Sequence, residues 1–161
     1  HIAEGADILA QHTDSPAMLQ IAEKKGALGF GQSTDMGAFA PKAQLFASIN
    51  NWGPYYINKI KQLRSEKWNT GDGPDHWPGN TWGGLSTDML LLSKFKNMPS
   101  DVANKAQKAH DGIKSGKIKI FAGPLKSNDG KDIIAAGKEL DDGALWGMNY
   151  YLEGVSGKVP K

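Results

Sequence analysis

The chain has no cysteine among its 161 residues. That excludes disulfides, thiolate catalysis and cysteine-held zinc, and it fits either redox compartment. Arginine is almost missing: Arg64 stands alone, and the formal charge is only +2. A phosphate backbone is gripped by several clustered Lys or Arg, so no nucleic-acid partner is expected. No apolar run approaches the roughly 20 residues that span a bilayer. No segment reads as a signal peptide, and the opening His1-Ile2-Ala3-Glu4-Gly5 reads as a helix end with a glycine stop. A fragment or processed product is therefore expected. Gly29-Phe30-Gly31 is followed by neither Gly-Lys-Ser/Thr nor Gly-x-Gly-x-x-Gly, so it is not a phosphate loop. The four histidines lack metal-ligand spacing such as His-Glu-x-x-His. No metal and no cofactor are expected.

What is present is ordinary in bulk and specific in detail. Apolar content of 39% and charged content of 22% suit a globular domain long enough to bury a core. Two short apolar runs each end in a polar tip carrying an aspartate. Ala6-Asp7-Ile8-Leu9-Ala10 leads into Gln11-His12-Thr13-Asp14-Ser15-Pro16, and Ala27-Leu28-Gly29-Phe30-Gly31 leads into Gln32-Ser33-Thr34-Asp35-Met36. Between them Met18, Leu19, Ile21 and Ala22 have helical spacing, Asp14 or Ser15 can cap, Pro16 suits the first helical position, and Lys24-Lys25-Gly26 closes the helix. The pattern predicts an α/β fold: buried strand, helix, strand, joined as a right-handed parallel unit. Both aspartates then fall at the carboxyl edge of a parallel sheet, where ligands bind.

Further on, Leu45 to Ile49 reads as a third strand, Asn50 to Pro54 as a turn, and Tyr56, Ile57, Ile60 and Leu63 as the apolar stripe of a helix. Residues 69–84 hold five glycines, two prolines, Trp77 and Trp82, and read as a flap-like loop. Met89 to Leu92 predicts a strand, Pro99-Ser100-Asp101 opens a helix that Gly116 ends, and Ile118 to Phe121 predicts a half-exposed strand. Ser127-Asn128-Asp129-Gly130 signals a hairpin, and Met148 to Val155 reads as a final strand.

Asp14 can cap a helix, for about 1 kcal/mol, or accept from a ligand hydroxyl or ring N–H. Asp35 reads either as a solvated loop carboxylate or as a ligand acceptor. His12 beside Asp14 fits a general base or a locally bonded strand-end histidine. Trp52 and Trp82 flank glycines in turns, where a flat ring can stack on a flat ligand. Two carboxylates at one edge also allow acid/base or metal chemistry, so an Asp14/Asp35 hydrolase or metal enzyme is a rival reading.

Several segments, in order along nearly the whole chain, carry a family resemblance: Gly5 to Pro16, Gly29-Phe30-Gly31 through Asp35-Met36, Phe39-Ala40-Pro41-Lys42-Ala43, Asn51-Trp52-Gly53-Pro54-Tyr55-Tyr56, Trp82-Gly83-Gly84-Leu85 and Phe121-Ala122-Gly123-Pro124-Leu125. They resemble the basic membrane protein family of ABC-importer substrate-binding proteins, whose members include purine nucleoside receptors. The resemblance covers about the C-terminal half of that family. It implies a type I periplasmic-binding-protein fold, with parallel Rossmann-like sheets and flanking helices in two lobes. It places residues 1–44 in the second lobe, 45–122 in the first after a hinge crossing, and 123–161 back in the second. It implies a ligand-holding role for Asp35, with Asp14 at the neighbouring tip; with the tips and turns read above, the expected ligand-binding residues are Thr13, Asp14, Gly31, Asp35, Asn51, Trp52 and Trp82, and no catalytic residue is expected. The nucleoside-binding members carry a lysine just after the hinge strand, in a segment reading roughly Thr-Ser-x-x-Lys. Here Ser48 is followed by Ile49, Asn50 and Asn51, so the reading leans to a free purine such as adenine. The implied partners are that small molecule and an ABC permease, with membrane contact only through a lipid anchor on an absent N-terminal part. The implied location is the periplasm or the outer face of the cytoplasmic membrane. A ligand-sensing module and a sugar-binding protein of the same fold are the other readings.

Overall fold

The computed structural model describes residues 1–65 and 82–160. Most of the expected flap, including Trp77, lies outside the described residues. The chain forms two compact units, 1–115 and 116–161.

The first unit is built on a four-stranded sheet. Strands β1 (Ile8–Leu9), β2 (Leu28–Gly31), β3 (Gln44–Asn50) and β4 (Leu90–Leu92) lie in that spatial order. The first three run parallel, and β4 returns antiparallel beside β3. The sheet is thus mixed rather than all-parallel, and helices flank it. The short α1 (Ala17–Lys25) crosses from β1 to β2. Gly26 closes it in a left-handed conformation (φ 72°), its N–H donating to the Ala22 and Glu23 carbonyls. Leu19 and Ala22 of α1 pack with Ala27, Met36, Ala40 and Ala43 to form the core. A Cβ at Gly29 would come within 2.9 Å of Leu19 Cδ2, so glycine lets the helix sit close on the strand.

Local signals place most elements within a residue or two, and tertiary context alters several. The expected buried strand at residues 6–10 is two residues long and forms the sheet edge, with Ile8 47% exposed. Ile21, expected on the inner face of α1, is exposed and lines a shallow apolar depression with Ile2, Leu9 and Met18. Helix α2 (Trp52–Arg64) starts inside the expected turn. Its stripe keeps helical spacing, yet Tyr56, Ile57, Ile60 and Leu63 are each more than half exposed. Leu45 to Ile49, read as a third strand, fall within β3, which pairs with β2. Helix α3 (Ser100–Lys114) follows its start signal.

In the second unit the turn Ser127 to Gly130 joins β5 (Leu125–Lys126) to β6 (Asp132–Ile134). Helix α4 (Asp142–Trp146) is capped by Asp141, which accepts from the Ala144 N–H at 2.8 Å. The expected strand at 118–121 is irregular, and pairing begins only at its end, where the Leu140 N–H donates to the Phe121 carbonyl beside the single bridge of Ala122 with Glu139. The expected final strand is reduced to a single bridge, Ser127 with Leu152. No helix among the described residues is long and apolar enough to cross a membrane.

Candidate functional site

Parallel pairing of β1, β2 and β3 sets their carboxyl ends along one edge, and the segments that follow them carry most of the candidate residues. After β1, Thr13 Oγ1 donates to Gln11 Oε1 at 3.1 Å, and Gln11 Nε2 donates to Met36 Sδ at 3.3 Å. This chain ties the first tip to the second. Asp14 is exposed beside Thr13. It does not cap α1; the Ser15 hydroxyl accepts the Ala17 N–H instead, at 3.3 Å.

The second tip is the most constrained. Asp35 Oδ1 accepts from the Gly37 N–H at 2.9 Å and from Gln44 Nε2 at 2.6 Å. Gln44 is 2% exposed, and its Oε1 accepts the Met36 N–H at 2.9 Å. One buried amide thereby holds both a carboxylate and the backbone beside it. These donors keep the Asp35 carboxyl below its ordinary value of 3.8: the Gln44 amide contributes most and the Gly37 N–H next, against some desolvation, with help from the Lys96 charge. Gly31 is buried, and a Cβ there would lie 2.9 Å from Gln44 Oε1 and 2.8 Å from Ala47 Cβ. A Cβ at Gly37 would lie 3.1 Å from Asp35 Oδ1 and 3.2 Å from Gln44 Nε2. Two glycines thus leave room for the clamp.

At the third tip the Asn50 N–H donates to the Ser33 carbonyl at 3.1 Å, joining it to the loop after β2. The Asn51 N–H donates to the Met89 carbonyl, and its Nδ2 to the Asp88 carbonyl, both at 2.8 Å. Trp52 opens α2, half exposed, with its ring 5.8 Å from Tyr55 and 6.3 Å from Tyr56. Trp82 is 65% exposed. It precedes Gly83, whose missing side chain makes room for Met89 and Thr87. Met89 in turn adjoins β4, whose Leu90 pairs with Asn50.

Topology therefore places Thr13 and Asp14 after β1 and Gly31 and Asp35 at and after β2, with Asp35 held by Gln44 at the start of β3; Asn51 and Trp52 follow the other end of β3, and Trp82 precedes Gly83, which lies close to the Met89 that leads into β4. Chemically the edge offers an ionised acceptor, amides and indole faces. Among the described residues no group of three or more His, Cys, Asp or Glu could hold a metal ion. Gln44 escaped the sequence reading. Its signal is an amide between two apolar residues, Ala43 and Leu45, at the start of a strand that faces a Gly-x-Gly neighbour.

No protein-family model matches the chain. Over 160 residues, 99% of its length, the chain is 41% identical to a purine-binding protein of Brucella abortus and covers 43% of that protein. Over the same length it is 26% identical to a putative ABC transporter glucose-binding protein of Haloferax volcanii, covering 36% of it. The chain thus spans less than half the length of these relatives. A solved ABC transporter solute-binding protein from Conexibacter woesei overlays 74% of the chain and 38% of its own, with a TM-score of 0.49 and 16% identity.

Proposed function

We propose that this chain belongs to an extracytoplasmic solute-binding protein of an ABC importer. In this reading it supplies about the C-terminal half of a two-lobed, type I periplasmic-binding-protein fold and binds an adenine-like purine base or nucleoside without chemistry. The observation that carries the reading is that the segments following three neighbouring parallel strands bear Thr13 and Asp14, Asp35, and Asn51 and Trp52. Open α/β sheets bind ligands outside the carboxyl ends of their strands. The relative named as a purine-binding protein supports the ligand class.

Asp35, held ionised, takes a ring or ribose donor, and Asp14 a second one. A carboxylate left without its donor costs about 1–3 kcal/mol, which rejects ligands lacking N–H or O–H groups there. Trp52 and Trp82 supply flat faces, worth about 0.5–1.5 kcal/mol per stacked ring beyond burial. Thr13 and Asn51 line the edge, and Gly31 keeps it open. Ligand held between the two lobes favours a closed form that the permease recognises. A lipid anchor on a preceding segment would hold the protein at the outer face of the cytoplasmic membrane.

The relative named as a glucose-binding protein favours a second reading, a sugar in the same place. Calorimetric titration of the intact protein with adenine, inosine and glucose separates the two. Purine binding that falls at least tenfold in Asp35→Asn, with ligand recovered unchanged, is the expected result. Binding of glucose alone, or a purine altered on release, would refute it.

A further inference from the structure

Gln44 has no place among the residues expected to touch a ligand, yet this first residue of β3 is a buried polar group that holds Asp35. Its amide is 2% exposed and uses both ends: Nε2 on Asp35 Oδ1 at 2.6 Å and Oε1 on the Met36 N–H at 2.9 Å. Its backbone is held as well, since Asn97 Nδ2 donates to the Gln44 carbonyl at 2.8 Å. Gly31 and Gly37 lack the side chains that would crowd it. Both hydrogen bonds to Asp35 fall on Oδ1, so among the described residues Oδ2 accepts none.

We propose that Gln44 is the positioning residue of the ligand site, a buried amide that fixes Asp35 through one oxygen so that the other receives the ligand's donor. The inference rests on the solute-binding function proposed above. An amide suits this post because it donates at one end and accepts at the other. A carboxylate there would repel Asp35, and a thioether would leave both Asp35 Oδ1 and the Met36 N–H short of a partner.

Two variants of the intact protein test it, Gln44→Met and Gln44→Glu, with adenine and inosine as probes. Wild-type affinity is expected to be flat between about pH 6 and pH 8, because Asp35 stays ionised throughout. Gln44→Met should bind about tenfold or more weaker at both pH values, as expected when a charge-assisted bond is lost. Gln44→Glu sets two carboxylates side by side, which cannot both ionise without penalty. A proton shared between them restores the Asp35 contact. Lys96, the charged group that acts on Asp35, favours the ionised form of either. Affinity of Gln44→Glu should therefore recover roughly tenfold as the pH falls from about 8 to about 6, opposite in sign to any acid loss of the wild type. That recovery is read within one folded variant, so general misfolding cannot mimic it. A Gln44→Glu protein that binds as tightly as wild type across this range would overturn the positioning role. So would a Gln44→Met protein with unchanged Kd. Wild-type protein that binds none of adenine, inosine and glucose would instead overturn the function beneath it.

Discussion

Replacing Gly31 by alanine tests whether the clamp is built on the empty space beside it. The new Cβ would lie 2.8 Å from Ala47 Cβ and 2.9 Å from Gln44 Oε1, both closer than packed atoms tolerate. Ala47 cannot yield easily, because it is fully buried and paired with Gly31 across the β2–β3 ladder. The Gln44 amide would move instead and loosen its bonds to Asp35 and Met36. Overpacking of this kind costs about 1–3 kcal/mol, and a weakened bond to a charged group about 1.5–3 kcal/mol when fully lost. A combined loss of about 3 kcal/mol corresponds to a fall in Tm of about 6–12 °C for a chain of this size. Thermal unfolding followed by circular dichroism measures it. Gly84→Ala is the control: Gly84 has φ −120° with nothing near its missing Cβ, so its substitution should fall within about 0.5 kcal/mol of wild type. A double-mutant cycle sharpens the test. In a Gln44→Ala background the Gly31→Ala cost should shrink by about 1 kcal/mol or more, because one of the two clashing groups is gone. A Gly31→Ala protein as stable as wild type, or a cost unchanged by removing Gln44, would refute the reasoning.

Other outcomes follow from the same geometry. Because its folded-state pKa is depressed, the stability contributed by Asp35 is present above its ordinary value of 3.8 and is lost as the pH falls through the lower folded value. The stability gap between wild type and Asp35→Asn should therefore be full near neutrality and narrow below about pH 4; a gap that widened in acid would contradict the assignment. In the second unit, the buried Ser127 hydroxyl donates to Asp129 and accepts the Lys131 N–H at 3.1 Å. Ser127→Ala should cost about 1–3 kcal/mol, and carboxyl NMR should show the Asp129 pKa rising, since the Ser127 hydroxyl is the chief cause of its depression. The stripe of Tyr56, Ile57, Ile60 and Leu63 is exposed enough to drive self-association of these 161 residues alone. Sedimentation should show oligomers that Ile60→Lys with Leu63→Glu dissolves, and a monomer at about 100 μM would contradict the expectation.

How far the sequence could be read depended on the range of each signal. Gly26, Pro16 and Gly130 act on their own turns, so α1 and the 127–130 hairpin lie where local chemistry puts them. The strand tips were legible for the same reason: Asp14 and Asp35 each end a short apolar run, and parallel pairing then carries both to one edge. Burial was less legible, because periodicity records which face is apolar but not what covers it. Ile8 lost its cover by falling on the outermost strand, and Ile60 and Leu63 lie on a helix whose described residues include no buried one. Residues 118–121 alternate as a strand should, yet alternation needs a neighbouring ladder, and theirs is reduced to the single bridge of Ala122 with Glu139 at its end. Gln44 shows the opposite case. Its polarity argues against a buried strand position, and its amide is satisfied there by Asp35, nine residues away in sequence, and by the Met36 N–H. A polar residue where the apolar pattern asks for another hydrophobe marks a long-range partner. Here that partner is the carboxylate on which ligand recognition is proposed to turn.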